Sequence, residues 1–173
     1  PIIPDAAATA ATRMVPASTL TTTPTEGRRA TIPTIGRKTV IAAVEGGGTS
    51  FVVAIAELIE NHSGTTTTTT LSSTITILDR REIDSSHCQP HRTLDECAVF
   101  LRRYRDDPAY RLVALGVAMF GPFGVDPLHE KTYGRILAST PKQHWRNMDV
   151  VSPLRAACTN TANANVVVKI DTD

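Results

Sequence analysis

This chain lacks any surplus of one charge. Its 173 residues hold 18 Lys+Arg against 17 Asp+Glu. No bulk attraction to nucleic acid or to an anionic membrane surface is therefore built in. It also lacks an apolar run long enough to span a bilayer. Cysteine is scarce: Cys88, Cys97 and Cys158 are an odd number without the spacing of a disulfide framework. Reduced thiols in a cytosolic-type protein, and a cytoplasmic location, are expected. His87-Cys88-Gln89-Pro90-His91 packs three potential metal ligands into five residues of a loop. No second ligand group follows at zinc-like spacing, so no metal site is assigned. Asn61-His62-Ser63 matches a glycosylation sequon, but nothing else in the chain suggests secretion. What remains is a length sufficient for one domain with a proper core.

Residues 1–36 are rich in Thr, Ala and Pro and show neither helical nor strand periodicity. Such a stretch buries too little apolar surface to order itself and reads as a flexible tail. Its few acids and its Arg13, Arg28 and Arg29 give it a faint likeness to an organelle transit peptide, but its weak amphipathicity favours a solvated extension. The folded part is expected over residues 37–173. The chain begins at Pro1 and stops at Asp173 directly after an apolar strand, which leads us to expect a fragment.

Two β-branched runs, Thr39 to Val44 and Phe51 to Leu58, flank Glu45-Gly46-Gly47-Gly48-Thr49. This pattern predicts a β-hairpin. Three glycines exceed what such a turn needs. They also let backbone N–H groups approach an anion closely, so an ordinary turn and a phosphate-cradling turn both fit. Glu45 and Thr49 add a carboxylate and a hydroxyl suited to a hydrated metal and a phosphate. Residues 61–70, with their threonine run, read as a low-complexity loop, and Leu71 to Leu78 as a third strand. Thr93 with Glu96 forms a capping box that opens a helix. Leu94, Cys97, Ala98, Leu101 and Tyr104 make its core stripe, so Cys97 receives no chemical role. Leu112 to Phe120 reads as a strand covered on both faces and ending at Gly121-Pro122. Ser152-Pro153 opens a second helix. Val166 to Ile170 reads as a last buried strand that delivers Asp171-Thr172-Asp173. The order predicts an α/β fold with a mixed sheet, with ligands at the carboxyl ends of its strands.

Taken together, these residues resemble the first phosphate loop and the sugar-side motifs of ROK-family fructokinases of the bacterial type. The series runs from Leu115-Gly116-Val117-Ala118-Met119-Phe120-Gly121-Pro122 through Thr132-Tyr133-Gly134 and Thr140-Pro141-Lys142 to Trp145. In this order it is far more specific than the glycine turn alone. The resemblance covers about residues 39–173 and implies the N-terminal lobe of an actin/hexokinase-like (ribonuclease H-like) ATPase fold. It implies ATP and magnesium as cofactors and a hexose, fructose first, as substrate. Glucose or an acylated amino sugar, and a sugar-binding pseudo-kinase, are the alternatives. Asp173 falls on the catalytic aspartate, a base for the sugar hydroxyl. Glu45, Gly46, Gly47, Gly48 and Thr49 fall on the ATP phosphate and magnesium side. Gly121, Pro122, Thr140, Pro141 and Lys142 fall on the sugar side. Trp145 is read as a packing anchor, and His129 and His144 as exposed loop residues. A second phosphate loop, an adenosine pocket, a His/Cys zinc site and a homodimer contact would belong to the C-terminal lobe. Ser50 departs from the family, which usually has lysine there.

Overall fold

The computed structural model describes residues 36–63, 70–87, 89–161 and 164–172. The predicted tail (apart from Gly36), the threonines 65–69, Cys88 and Asp173 lie outside the described residues. Five strands form one mixed sheet in the order β3-β2-β1-β4-β5. They are β1 (Lys38–Gly46), β2 (Ser50–Ser63), β3 (Thr70–Asp84), β4 (Tyr110–Met119) and β5 (Val167–Thr172). β1 and β2 form the predicted hairpin, with Val44 opposite Val53 and Gly46 opposite Phe51. β4 runs parallel to β1, and β5 runs parallel to β4. Helix α1 (Pro90–Asp106) connects β3 to β4, and α2 (Val151–Cys158) precedes β5. This is the mixed sheet with a hairpin start, followed by alternating helices and strands, that the sequence predicts.

The core lies between the two helices and one face of the sheet. Val40, Ala42 and Val44 alternate inward on β1, as do Phe51, Val53 and Ile55 on β2. Leu112, Leu115, Val117 and Met119 do the same on β4. Leu94, Cys97, Phe100 and Leu101 of α1 and Leu154, Ala157 and Cys158 of α2 close against them. Each large side chain removed from water here contributes about 1.5–3 kcal/mol. Tyr104 adds a polar tie, its hydroxyl donating to the Asp79 carboxylate of β3 at 2.7 Å.

Several local expectations are corrected. β2 extends through Asn61–Ser63, which pair with Ser72 to Thr70, so the sequon lies in a strand rather than a loop. β3 is 15 residues long because cross-strand pairing with β2 overrides its polar composition. α1 starts at Pro90, not at Thr93. Proline suits a first helical turn, and Thr93 lies inside, its hydroxyl donating back to the Gln89 carbonyl at 3.3 Å. α2 is capped by Asp149 rather than by Ser152: the Ser152 N–H donates to the Asp149 carboxylate at 3.0 Å. A carboxylate there also complements the positive end of the helix. β4 is not covered on both faces; Ala114, Gly116 and Ala118 on its other face are only half-buried. β5 is an edge strand with Val167 54% exposed, not a buried one. Its Val168 and Ile170 pack partly against the core.

Candidate functional site

The turn between β1 and β2 is three residues long, Gly47 to Thr49, and lies at the carboxyl end of β1. The Gly47 N–H closes it by donating to the Ser50 carbonyl at 2.9 Å. Three segments remote in sequence hold it in place. The Phe120 N–H, just after β4, donates to the Gly46 carbonyl at 2.9 Å. The Ser85 N–H, just after β3, donates to the Thr49 carbonyl at 2.9 Å. The Lys142 ammonium donates to the Gly47 carbonyl at 3.0 Å and also to the Gly48 carbonyl. The same ammonium sits 3.8 Å from the centre of the Phe120 ring, a cation–π contact.

These bonds have a directional consequence. A trans peptide is planar, so its N–H points opposite to its C=O. Lys142 grips the carbonyls of the Gly47–Gly48 and Gly48–Thr49 peptides. The N–H groups of Gly48 and Thr49 are thereby turned away from the lysine. The glycines differ in what they do. A Cβ on Gly46 would lie 2.5 Å from the Met119 side chain and 2.9 Å from the Phe51 ring, so Gly46 is a packing glycine. A Cβ on Gly48 would meet nothing within 4 Å, so space lies open beside the backbone there.

The Thr140–Lys142 loop lies beside this turn. Gly48, Thr49, Ser85, Ser86, Lys142 and Trp145 are among the residues lining a cavity of about 420 Å³. Thr140 is itself fully buried, and its hydroxyl accepts the Lys142 N–H at 3.4 Å. Trp145 forms the apolar floor: it stacks on Phe51 with ring centres 5.0 Å apart and meets Phe120 edge-on at 5.5 Å. It is a packing anchor, as the sequence suggests. His129 and His144 are exposed, and His129 pairs with Asp126 at 2.8 Å.

Gly121-Pro122 follows β4 through a cis peptide bond, and the Pro122 carbonyl accepts the Leu137 N–H at 2.9 Å. The Thr132-Tyr133-Gly134 motif serves the fold. Gly134 has φ +73°, and its carbonyl accepts the N–H groups of Val150 and Val151, which seats the start of α2.

Glu45 lies apart from the turn's cavity. In register it stands opposite Ala118, which in turn stands opposite Asp171. Glu45, Gly116, Ala118, Lys169 and Asp171 line a second cavity of about 430 Å³ on the uncovered sheet face. Asp173 follows two residues later, outside the described residues. The turn thus has two carboxylates at strand ends on one side and a lysine with hydroxyls on the other. Ser85 and Ser86 carry no sequence motif of their own, and only their position after β3 points to them. Asp171 belongs to the Asp171-Thr172-Asp173 run that β5 delivers. Among the described residues, no cluster of three or more His, Cys, Asp or Glu side chains has metal-binding geometry. No helix among them is long and apolar enough to cross a membrane.

No known family model matches the chain. A fructokinase of Streptococcus mutans is 29% identical over 109 residues, which is 63% of this chain and 29% of that protein. A fructokinase of Zymomonas mobilis is 29% identical over 136 residues, or 79% of this chain and 37% of that protein. The chain therefore spans about a third of the length of these curated relatives. Among solved structures, a ROK hexokinase of Thermus thermophilus superposes with a TM-score of 0.47 at 14% identity, covering 77% of this chain and 35% of that one. The ordered motif series and the fructokinase matches converge on one likeness: over about a third of their length, these curated fructokinases are similar to this chain.

Proposed function

We propose that the full-length protein phosphorylates a hexose with ATP, converting fructose to fructose 6-phosphate in the cytoplasm. The observation that carries this reading is the glycine turn, tied at the carboxyl end of β1 with open space at Gly48 and a lysine behind it. Those residues fit a nucleotide's phosphates: small, with N–H groups turned to one side and no side chain in the way. Glu45 would hold magnesium through water, as magnesium keeps much of its hydration shell. When bound, ATP supplies the transferable phosphoryl group and magnesium offsets its charge. Asp173 orients the sugar hydroxyl and accepts its proton. Gly121, Pro122 and the Thr140–Lys142 loop line the sugar side. Residues 1–173 alone lack the second wall of a two-lobed cleft and are inactive in this reading, because closure must exclude water. The second lobe would carry the remaining nucleotide contacts, the zinc site and the dimer contact.

The test is ADP release by a longer gene product supplied with fructose, glucose and mannose. Turnover is fastest with fructose, and absence of turnover with every hexose overturns the proposal. In an active protein, Asp173→Asn lowers kcat by orders of magnitude while sugar affinity changes little. Ser50, in the place of the usual lysine, favours a second reading as a sugar-binding pseudo-kinase. Sugar binding without phosphorylation by a two-lobe protein would establish it.

A further inference from the structure

Ser85 sits directly after β3, where its N–H holds the Thr49 carbonyl. The residue is only 6% exposed, and its hydroxyl is buried with no hydrogen-bond partner among the described residues. Leaving a hydroxyl unpaired away from water costs free energy, so such groups are rare and each needs a reason. Ser85 lines the same cavity as Gly48, Thr49, Ser86 and Lys142. No carboxylate is among the described residues lining that cavity. The polar side chains lining it are the hydroxyls of Thr49, Ser85 and Ser86, the Lys142 ammonium, the Gln143 carboxamide and the His144 imidazole, each able to donate to an anion.

We infer that the Ser85 hydroxyl is a ligand-binding donor of an anion subsite for a tetrahedral phosphoryl group, on the Lys142 side of the glycine turn. The inference rests on reading the turn as a phosphate loop and adds a residue that the motif series does not contain. The serine hydroxyl turns about χ1 between staggered wells. It can meet the ligand without disturbing the backbone bond from Ser85 to Thr49. Ser85 therefore acts twice: its main-chain N–H fixes the turn at Thr49, and its side chain binds the ligand beside that turn.

The test titrates the whole ¹⁵N-labelled chain with magnesium-ATP and, separately, with inorganic phosphate. The amide signals of Gly48, Thr49 and Ser85 shift together with a common midpoint. Response to phosphate alone marks a free phosphoryl anion as sufficient; response only to magnesium-ATP marks the nucleotide as its source. Ser85→Ala weakens binding about tenfold, the effect of one hydrogen bond to a charged acceptor, and Ser85→Thr restores most of it. Ser85→Ala also raises the unfolding temperature, because an unpaired buried hydroxyl is gone. A purely structural hydroxyl would instead lower that temperature and leave affinity unchanged. Wild-type affinity in Ser85→Ala, or shifts at Gly48 and Thr49 without Ser85, overturns the inference and leaves the phosphate-loop reading intact. Shifts at all three amides, with no hexose turnover by the longer protein, support the subsite and overturn the kinase reading. No shift at any of the three overturns both.

Discussion

The Nζ of Lys142 donates a 3.0 Å hydrogen bond to the carbonyl of Gly47, 95 residues earlier in the chain. A lysine from the Thr-Pro-Lys motif thus reaches the glycine turn whose own following residue, Ser50, carries no charge. The positive group near the turn comes from a different segment.

Lys142→Met removes two carbonyl partners and the contact over Phe120. Chemical denaturation should show a loss of ~1–2 kcal/mol, the scale of a charged hydrogen bond at a half-buried site. The Gly48 and Thr49 amide signals should move or broaden in the same variant. An unchanged turn spectrum would show that the lysine does not fix those peptides.

The two glycines should separate cleanly. Gly46→Ala forces a Cβ against Met119 and Phe51 in a filled core, with an expected loss of about 1–3 kcal/mol. Gly48→Ala meets open space and should leave the unfolding midpoint nearly unchanged. If the turn binds phosphate, Gly48→Ala weakens magnesium-ATP binding, because its methyl fills the approach to the backbone. Equal stability losses in the two variants would contradict the packing described above.

Trp145→Ala removes a ring held between Phe51 and Phe120. A loss of about 3–5 kcal/mol is expected in equilibrium unfolding, together with loss of order in the Pro141–Trp145 segment. A loss below about 1 kcal/mol would mean that the indole is not the floor of the cavity.

The buried thiols supply a pH test. Burial pushes Cys97 up to about 12, with neighbouring Glu96 adding to it, and burial likewise pushes Cys158 up to about 12. Both should resist a thiol reagent at pH 8 in the native chain and react fully in denaturant. The unfolded chain releases these protons near the ordinary thiol value of about 9, while the folded chain keeps them. Stability is therefore intact below about pH 9 and falls as pH rises from there toward about 12. Stability that rises over this window would contradict the buried placement.

Much of the fold is legible in local pattern. The β-branched runs mark β1, β2 and β4, and the stripe through Leu94, Cys97 and Leu101 marks α1. What fails locally fails for identifiable reasons. β3 is rich in Ser, Thr and charged residues, and only its partner strand makes it 15 residues long. Pro90 moves the start of α1 ahead of a plausible capping box. The apolar run of β4 suggests cover on both faces, yet helices cover only one among the described residues. The glycine turn is visible as a motif, whereas its ties to Ser85, Phe120 and Lys142 depend on tertiary approach. Thr140 stands in the motif as a residue of the sugar side; its full burial and its bonds from the Lys142 N–H and the Arg146 guanidinium are visible only in the fold.

The three-point anchoring of the Gly47–Thr49 turn bears on how fast and how costly binding is. Free glycine-rich loops lose more conformational entropy than any others when a ligand orders them. Here that ordering is completed during folding, by bonds from β3, β4 and the Pro141–Trp145 segment. If the turn binds a phosphoryl group as proposed, that group meets a rigid receptor, so its affinity is not diminished by freezing the backbone and its association need not wait for the loop to rearrange.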